Sequence, residues 1–113
     1  MTATHNIFSD VPAEIRGELF QDILRSDHVR IERIVSHGEK AKLNVHKSPE
    51  GFWYDQQENE WVLLVAGTAE LSFADGRRVA LLPGDHLLIP AHTRHRVEKT
   101  DPEQNTIWLA VHF

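Results

Sequence analysis

The chain has 113 residues, a net charge of −5 and no cysteine. That length makes one domain, able to bury about 65% of the surface its unfolded chain exposes and so to build a core without covalent staples. Without cysteine there is no disulfide framework and no thiolate metal site, which suits a cytoplasmic protein. The acidic balance, with no basic stripe between aromatics, argues against nucleic acid, and no leader-like start or run of about 18 apolar residues points to a membrane.

Ser9, Asp10, Pro12 and Glu14 read as the start of a short helix, with proline in its first turn and an acid near its positive end. Residues 18–25 are ambiguous: Leu19, Phe20, Ile23 and Leu24 fit a helical stripe, but the run is only eight residues long. Ser26-Asp27 marks a turn, and residues 28–36, rich in valine and isoleucine, read as a strand. A polar connector over 38–42, a short edge strand at 43–45 and a turn at 48–51 follow. Phe52-Trp53-Tyr54 reads as an aromatic strand, and residues 55–59 as a polar loop.

Residues 61–66 are apolar at every position, so both faces of that strand are expected to be covered. Ala69, Leu71 and Phe73 alternate with polar residues, the pattern of a half-buried strand. Asp75-Gly76 is the strongest hairpin turn of the chain. Strands around Val79–Leu81 and Leu87–Ile89 follow, the second ended by Pro90, which cannot donate to a ladder. Residues 95–99 go out and 106–113 return, with Ile107, Leu109, Val111 and Phe113 on one face and Trp108, Ala110 and His112 on the other. Eight or nine short strands with a turn every 6 to 12 residues predict an all-β antiparallel sandwich or small barrel.

Eight histidines are many for this length, and histidine serves both as metal ligand and as near-neutral acid or base. His5, His28 and His37 stand in polar surroundings and read as surface residues. Glu60 opens an apolar strand. If it shares a face with Val62 and Leu64, its carboxylate enters the interior, where it must be paired, hydrogen-bonded or metal-bound. The competing reading leaves it solvated beside Glu58. His95 lies two residues before Val97 and His92 three residues earlier in the turn, a spacing that alone specifies nothing.

Glu60, the run WVLLVA and Gly67 resemble the second half of the first cupin motif. Pro83-Gly84, a strand, Pro90 and then His95 resemble the second motif, with His92 where that motif usually has glycine. The resemblance covers most of residues 28–113. It implies a jelly-roll barrel over 28–113 behind an N-terminal arm, 1–27, that carries the short helical segment. It further implies one divalent metal at the barrel centre, held by a glutamate and three histidines. Glu60 and His95 match two of these ligands; the two histidines of the first motif are missing. Their places fall on Trp53 and Asp55 or on Tyr54 and Gln56, because a one-residue slip exchanges the faces. The expected metal set is therefore Asp55, Glu60, His92 and His95, with His46 a remoter candidate. Zinc comes first, with nickel, manganese or iron as alternatives. Trp53, Tyr54 and Gln56 are expected to line a substrate pocket, with Trp61 as a further aromatic wall.

Functionally, the resemblance implies a small-molecule metalloenzyme, such as a polyketide cyclase-like or isomerase-type protein. The alternatives are a metal-free module that binds or senses a small molecule, and a purely structural barrel. A homodimer built by sheet packing or strand exchange is expected, since a thin single barrel leaves one sheet face exposed.

Overall fold

The computed structural model describes residues 3–12, 15, 18–37 and 53–113. The described chain is all β, with eight strands: β1 Glu18–Arg25, β2 Arg30–His37, β3 Glu60–Ala66, β4 Ala69–Phe73, β5 Arg78–Leu81, β6 His86–Ile89, β7 His95–Thr100 and β8 Asn105–His112. They form a five-stranded sheet in the order β1-β2-β8-β3-β6 and a three-stranded sheet in the order β5-β4-β7, with every pairing antiparallel.

Register explains the interior. In an antiparallel ladder, directly opposed residues point to the same face. Three transverse rows of the five-stranded sheet face inward. Ile34, Trp108 and Leu64 form the first, and Glu32, Ala110, Val62 and Leu87 the second. Arg30, His112, Glu60 and Ile89 form the third. The rows pass from apolar to polar along the strands. The apolar end packs on Ala69, Leu71, Phe73 and Leu81 of the smaller sheet to make the main core. Leu64 is fully buried there, a stabilisation of roughly 1.5–3 kcal/mol. The polar end opens as a cavity.

A second, smaller cluster lies on the outer face of the large sheet, where Val35 and Ile107 pack with Ile15 and, around them, Ile7, Val11 and Leu19. The N-terminal segment is thus a cover for that face. Arg33 holds it down: its guanidinium donates to the backbone carbonyls of Ile7, Ser9 and Asp10 and to the side chain of Gln21.

Several local expectations are corrected. No helix occurs among the described residues. Residues 7–10 form a turn, with Asp10 at φ 57°, and their carbonyls go to Arg33 instead of a helical ladder; Glu14 lies outside the described residues. The ambiguous run 18–25 is strand β1, paired along β2 with a bulge between Asp22 and Leu24. An eight-residue helix would gain few hydrogen bonds of its own, whereas pairing satisfies the backbone and half-buries Leu19. Tyr54 makes a single bridge to His95 rather than a regular strand. The outer face of β3 is only half covered, at Trp61 and Leu63. The connector 38–42, the edge strand 43–45, His46, the turn 48–51 and Phe52 lie outside the described residues.

Gly67 ends β3 at φ 81°, where an added Cβ would lie 2.8 Å from the Thr106 Cα and 2.9 Å from the Asn105 carbonyl oxygen. These are backbone atoms of a central strand and cannot rotate away. Gly67→Ala is expected to destabilise the fold by about 2 kcal/mol or more in urea unfolding; a midpoint within error of the parent would contradict the close approach.

Candidate functional site

A cavity of about 560 Å³, counting the open solvent at its mouth, occupies the polar end of the barrel. Its apolar wall comes from Ile34, Val62, Leu71, Ile89 and Trp108, with Phe20 and Val97 also lining it. Its polar groups come from four places: Glu18 of β1, Glu32 of β2, Glu60 of β3 with His112 of β8, and His95 of β7 with the bridge segment Tyr54 and Gln56.

Glu60 and His95 are both buried and approach from opposite sheets. His95 Nε2 lies 3.6 Å from Glu60 Oε1, an ion-pair contact too long for a strong hydrogen bond. His95 Nδ1 is 2.8 Å from the Thr93 carbonyl oxygen and donates to it, which fixes the tautomer and leaves Nε2 facing Glu60. Burial alone would push this imidazole down. The Glu60 carboxylate and the Thr93 carbonyl outweigh burial and hold His95 above its ordinary 6.5. Tyr54 lies beside it, ring centroids 6.0 Å apart. Burial, then the charges of Glu18 and Glu60, push the Tyr54 phenol up to about 12, so it stays protonated and can donate.

A second dyad was not singled out from the sequence. His112 Nε2 lies 2.8 Å from Glu32 Oε1, and Arg30 holds the other oxygen of Glu32 at 3.0 Å. Two signals could have found it: Glu32 shares a face with Ile34, and His112 shares a face with Trp108 and Ala110. Glu18 was missed because its stretch also fitted a helix.

The register left open between residues 53 and 56 resolves in favour of Tyr54 and Gln56, which line the cavity. Trp53 instead lies under the Arg96 guanidinium, 4.2 Å from its ring centroid. Trp61 faces outward against His86, ring centroids 5.4 Å apart, and lines no part of the cavity. Asp55 and His92 pair with each other at 2.8 Å, with side chains 41% and 65% exposed, and Arg94 lies 3.7 Å from Asp55. The structure therefore places the four expected metal ligands as two separate pairs: Glu60 with His95 inside, and Asp55 with His92 on the surface. His37 meets Asn105.

Beside Glu60 and His95, the Gln56 Oε1 atom is buried with no hydrogen-bond partner among the described residues. Glu60 and His95 are two strong donors and Gln56 offers only a neutral amide oxygen, a weaker set than the three His, carboxylate or thiolate ligands typical of a catalytic zinc. Among the described residues no group of three His, Cys, Asp or Glu gathers closely enough to hold a metal ion. This donor set does not fit a tightly held divalent ion; its chemistry is that of paired acids and bases.

The Cupin domain family model matches residues 35–112. The chain belongs to the cupin family. A solved structure from Ralstonia eutropha JMP134, provisionally named a mannose-6-phosphate isomerase, is 43% identical to this cupin, with a TM-score of 0.84 over 98% of this chain and 97% of that one. A cupin superfamily protein from Desulfitobacterium hafniense DCB-2 shares the fold at 19% identity and TM-score 0.68, covering 91% of this chain and 83% of its own. So does an RmlC-like cupin with a double-stranded β-helix from Methanocaldococcus jannaschii, at 11% identity and TM-score 0.66, covering 91% and 85%. No curated protein sequence matches the chain. No helix among the described residues is long and apolar enough to cross a membrane.

Because the folded pKa of His95 lies above its unfolded value of 6.5, folding takes up a proton between the two. The stabilisation from the Glu60–His95 pair is therefore complete below about pH 6.5 and is lost as pH rises through the folded value. Glu60→Gln removes the charge that raises it. An NMR titration is expected to show His95 titrating lower in the variant than in the parent; an unchanged titration would contradict the pairing.

Proposed function

We propose that this cupin is an isomerase-type protein that moves a proton between neighbouring carbons of a small hydroxy-carbonyl compound held in the barrel. The observation that carries the reading is the buried Glu60–His95 pair, a carboxylate and an imidazole whose proton sites lie 3.6 Å apart in the cavity wall. The similarity to a protein provisionally named a mannose-6-phosphate isomerase supports the reaction class.

Isomerisation of this kind needs one group to take a proton from carbon and another to protonate the carbonyl oxygen. Glu60 takes the proton from the carbon beside the carbonyl, while the His95 imidazolium gives its Nε2 proton to the carbonyl oxygen, leaving an enediol. Return of the Glu60 proton to the adjacent carbon, with the second hydroxyl proton passing to His95, completes the shift. No oxidant or reductant is needed, and both side chains end as they began.

The test is deuterium wash-in at the carbon beside the carbonyl, followed by NMR, with mannose and mannose 6-phosphate in deuterated buffer. Exchange in the parent is expected to fall about 10²-fold or more in Glu60→Gln and His95→Ala. Saturable binding with no exchange would favour the second reading, a ligand-binding module without chemistry, which the largely apolar wall also supports.

Among the described residues, Glu60 and His95 are the two strong donors that zinc, nickel, manganese or iron would find at this pair. Protein purified without a histidine tag is expected to carry metal well below stoichiometry, unchanged in Glu60→Ala and His95→Ala. A stoichiometric metal lost in both variants would replace the proposed mechanism with a metal-assisted one.

We further propose a homodimer formed along β1. That strand ends the large sheet among the described residues, and its Ile23 and Leu24 are 52% and 56% exposed; an exposed apolar edge is a ready pairing surface. Light scattering is expected to give twice the chain mass, and Ile23→Lys to give the monomer. The lack of cysteine suits a cytoplasmic setting.

A further inference from the structure

We propose that the cavity is built for an uncharged, hydroxyl-rich molecule, a free sugar or polyol, and turns away its phosphorylated forms. The proposal rests on the isomerase-type reading above and names the substrate class for the same cavity.

The first observation is charge. Every ionisable side chain that lines the cavity among the described residues is Glu, His or Tyr; three are the carboxylates Glu18, Glu32 and Glu60. No lysine or arginine lines it among the described residues. The guanidinium beside it, Arg30, is spent on Glu32 at 3.0 Å and Glu58 at 3.3 Å. Recognition of a phosphate ordinarily uses free guanidinium or ammonium groups or a helix N-terminus, and the described cavity wall offers none of these. A dianion entering would meet carboxylates in a low-dielectric space.

The second observation is hydrogen bonding, and it is independent of the first. Two buried polar atoms on lining residues have no partner among the described residues: Gln56 Oε1 and His112 Nδ1. Both are acceptors. For Gln56 this follows from the carbonyl oxygen. For His112 it follows from the other ring nitrogen: Nε2 lies 2.8 Å from Glu32 Oε1 and donates to it. In the neutral ring Nδ1 then holds a lone pair. Buried acceptors are costly unless a donor reaches them. Hydroxyls are such donors, and a phosphate oxygen is not. Orphan acceptors on β8 and on the segment beside Tyr54 thus call for a ligand with several hydroxyls.

The test is binding rather than turnover. Calorimetry with mannose, mannitol and mannose 6-phosphate is run on the full chain, and imidazole resonances report occupancy. Mannose or mannitol is expected to bind and to shift the His112 ring signals, with mannose 6-phosphate weaker by about 10²-fold or more. Gln56→Leu is expected to weaken polyol binding about tenfold, with Gln56→Glu, which keeps an acceptor, weakened less. His112→Phe is the parallel variant, and Gln56→Leu keeps the test intact if the phenylalanine disturbs folding. Equal or tighter binding of the phosphate ester, or no binding of either polyol, would overturn the proposal. Binding of the free sugar without deuterium exchange would sink the isomerase reading while leaving this one standing.

Discussion

The register of β2, β8 and β3 places the residues at alternate positions of all three strands on one inward face, and the rest of the molecule depends on that alignment. Along each strand the inward residues change character in step: Ile34 to Glu32 to Arg30, Trp108 to Ala110 to His112, Leu64 to Val62 to Glu60. One end of the barrel can therefore close on an apolar core while the other carries charge. A slip of one residue in any pairing would send Glu60 or His112 to the outside and bring Trp61 or Val111 in. Stability and site thus come from the same ladder.

Carrying carboxylates into a barrel costs several kcal/mol per ion unless each finds a partner. Two different solutions are used. Glu32 is satisfied by Arg30 and His112, which makes it a fixed support. Glu60 faces His95 at 3.6 Å, a looser contact, which leaves it capacity to take a proton from a ligand. The contrast separates a tightly paired dyad from a looser one, although both consist of the same two residue types.

The outer cover is organised by a single side chain. Arg33 points away from the cavity and gathers three backbone carbonyls of the N-terminal segment. Ile7, Val11 and Ile15 are thereby held on Val35 and Ile107. The large sheet is covered over part of its outer surface, while β1 and the outer side of β3 keep apolar groups toward solvent.

The residue pattern alone determined the all-β class, the hairpin at Asp75-Gly76 and the faces of β8, and it left Glu60 open between the interior and the solvent. Period-two alternation and turn chemistry are local properties, written in neighbouring residues. It could not determine the state of residues 18–25, where a helical stripe and a strand share the same apolar residues and only pairing with β2 decides. It left open which of Trp53 and Tyr54 faces inward, because the bridge from Tyr54 to His95 joins residues far apart in the chain. The cofactor question was also tertiary: Asp55, Glu60, His92 and His95 all have metal-ligating chemistry, but the fold parts them into an inner and a surface pair. His112 and Glu32 meet across 80 positions, a contact no local pattern encodes. The ladder between β2 and β8 brings them together.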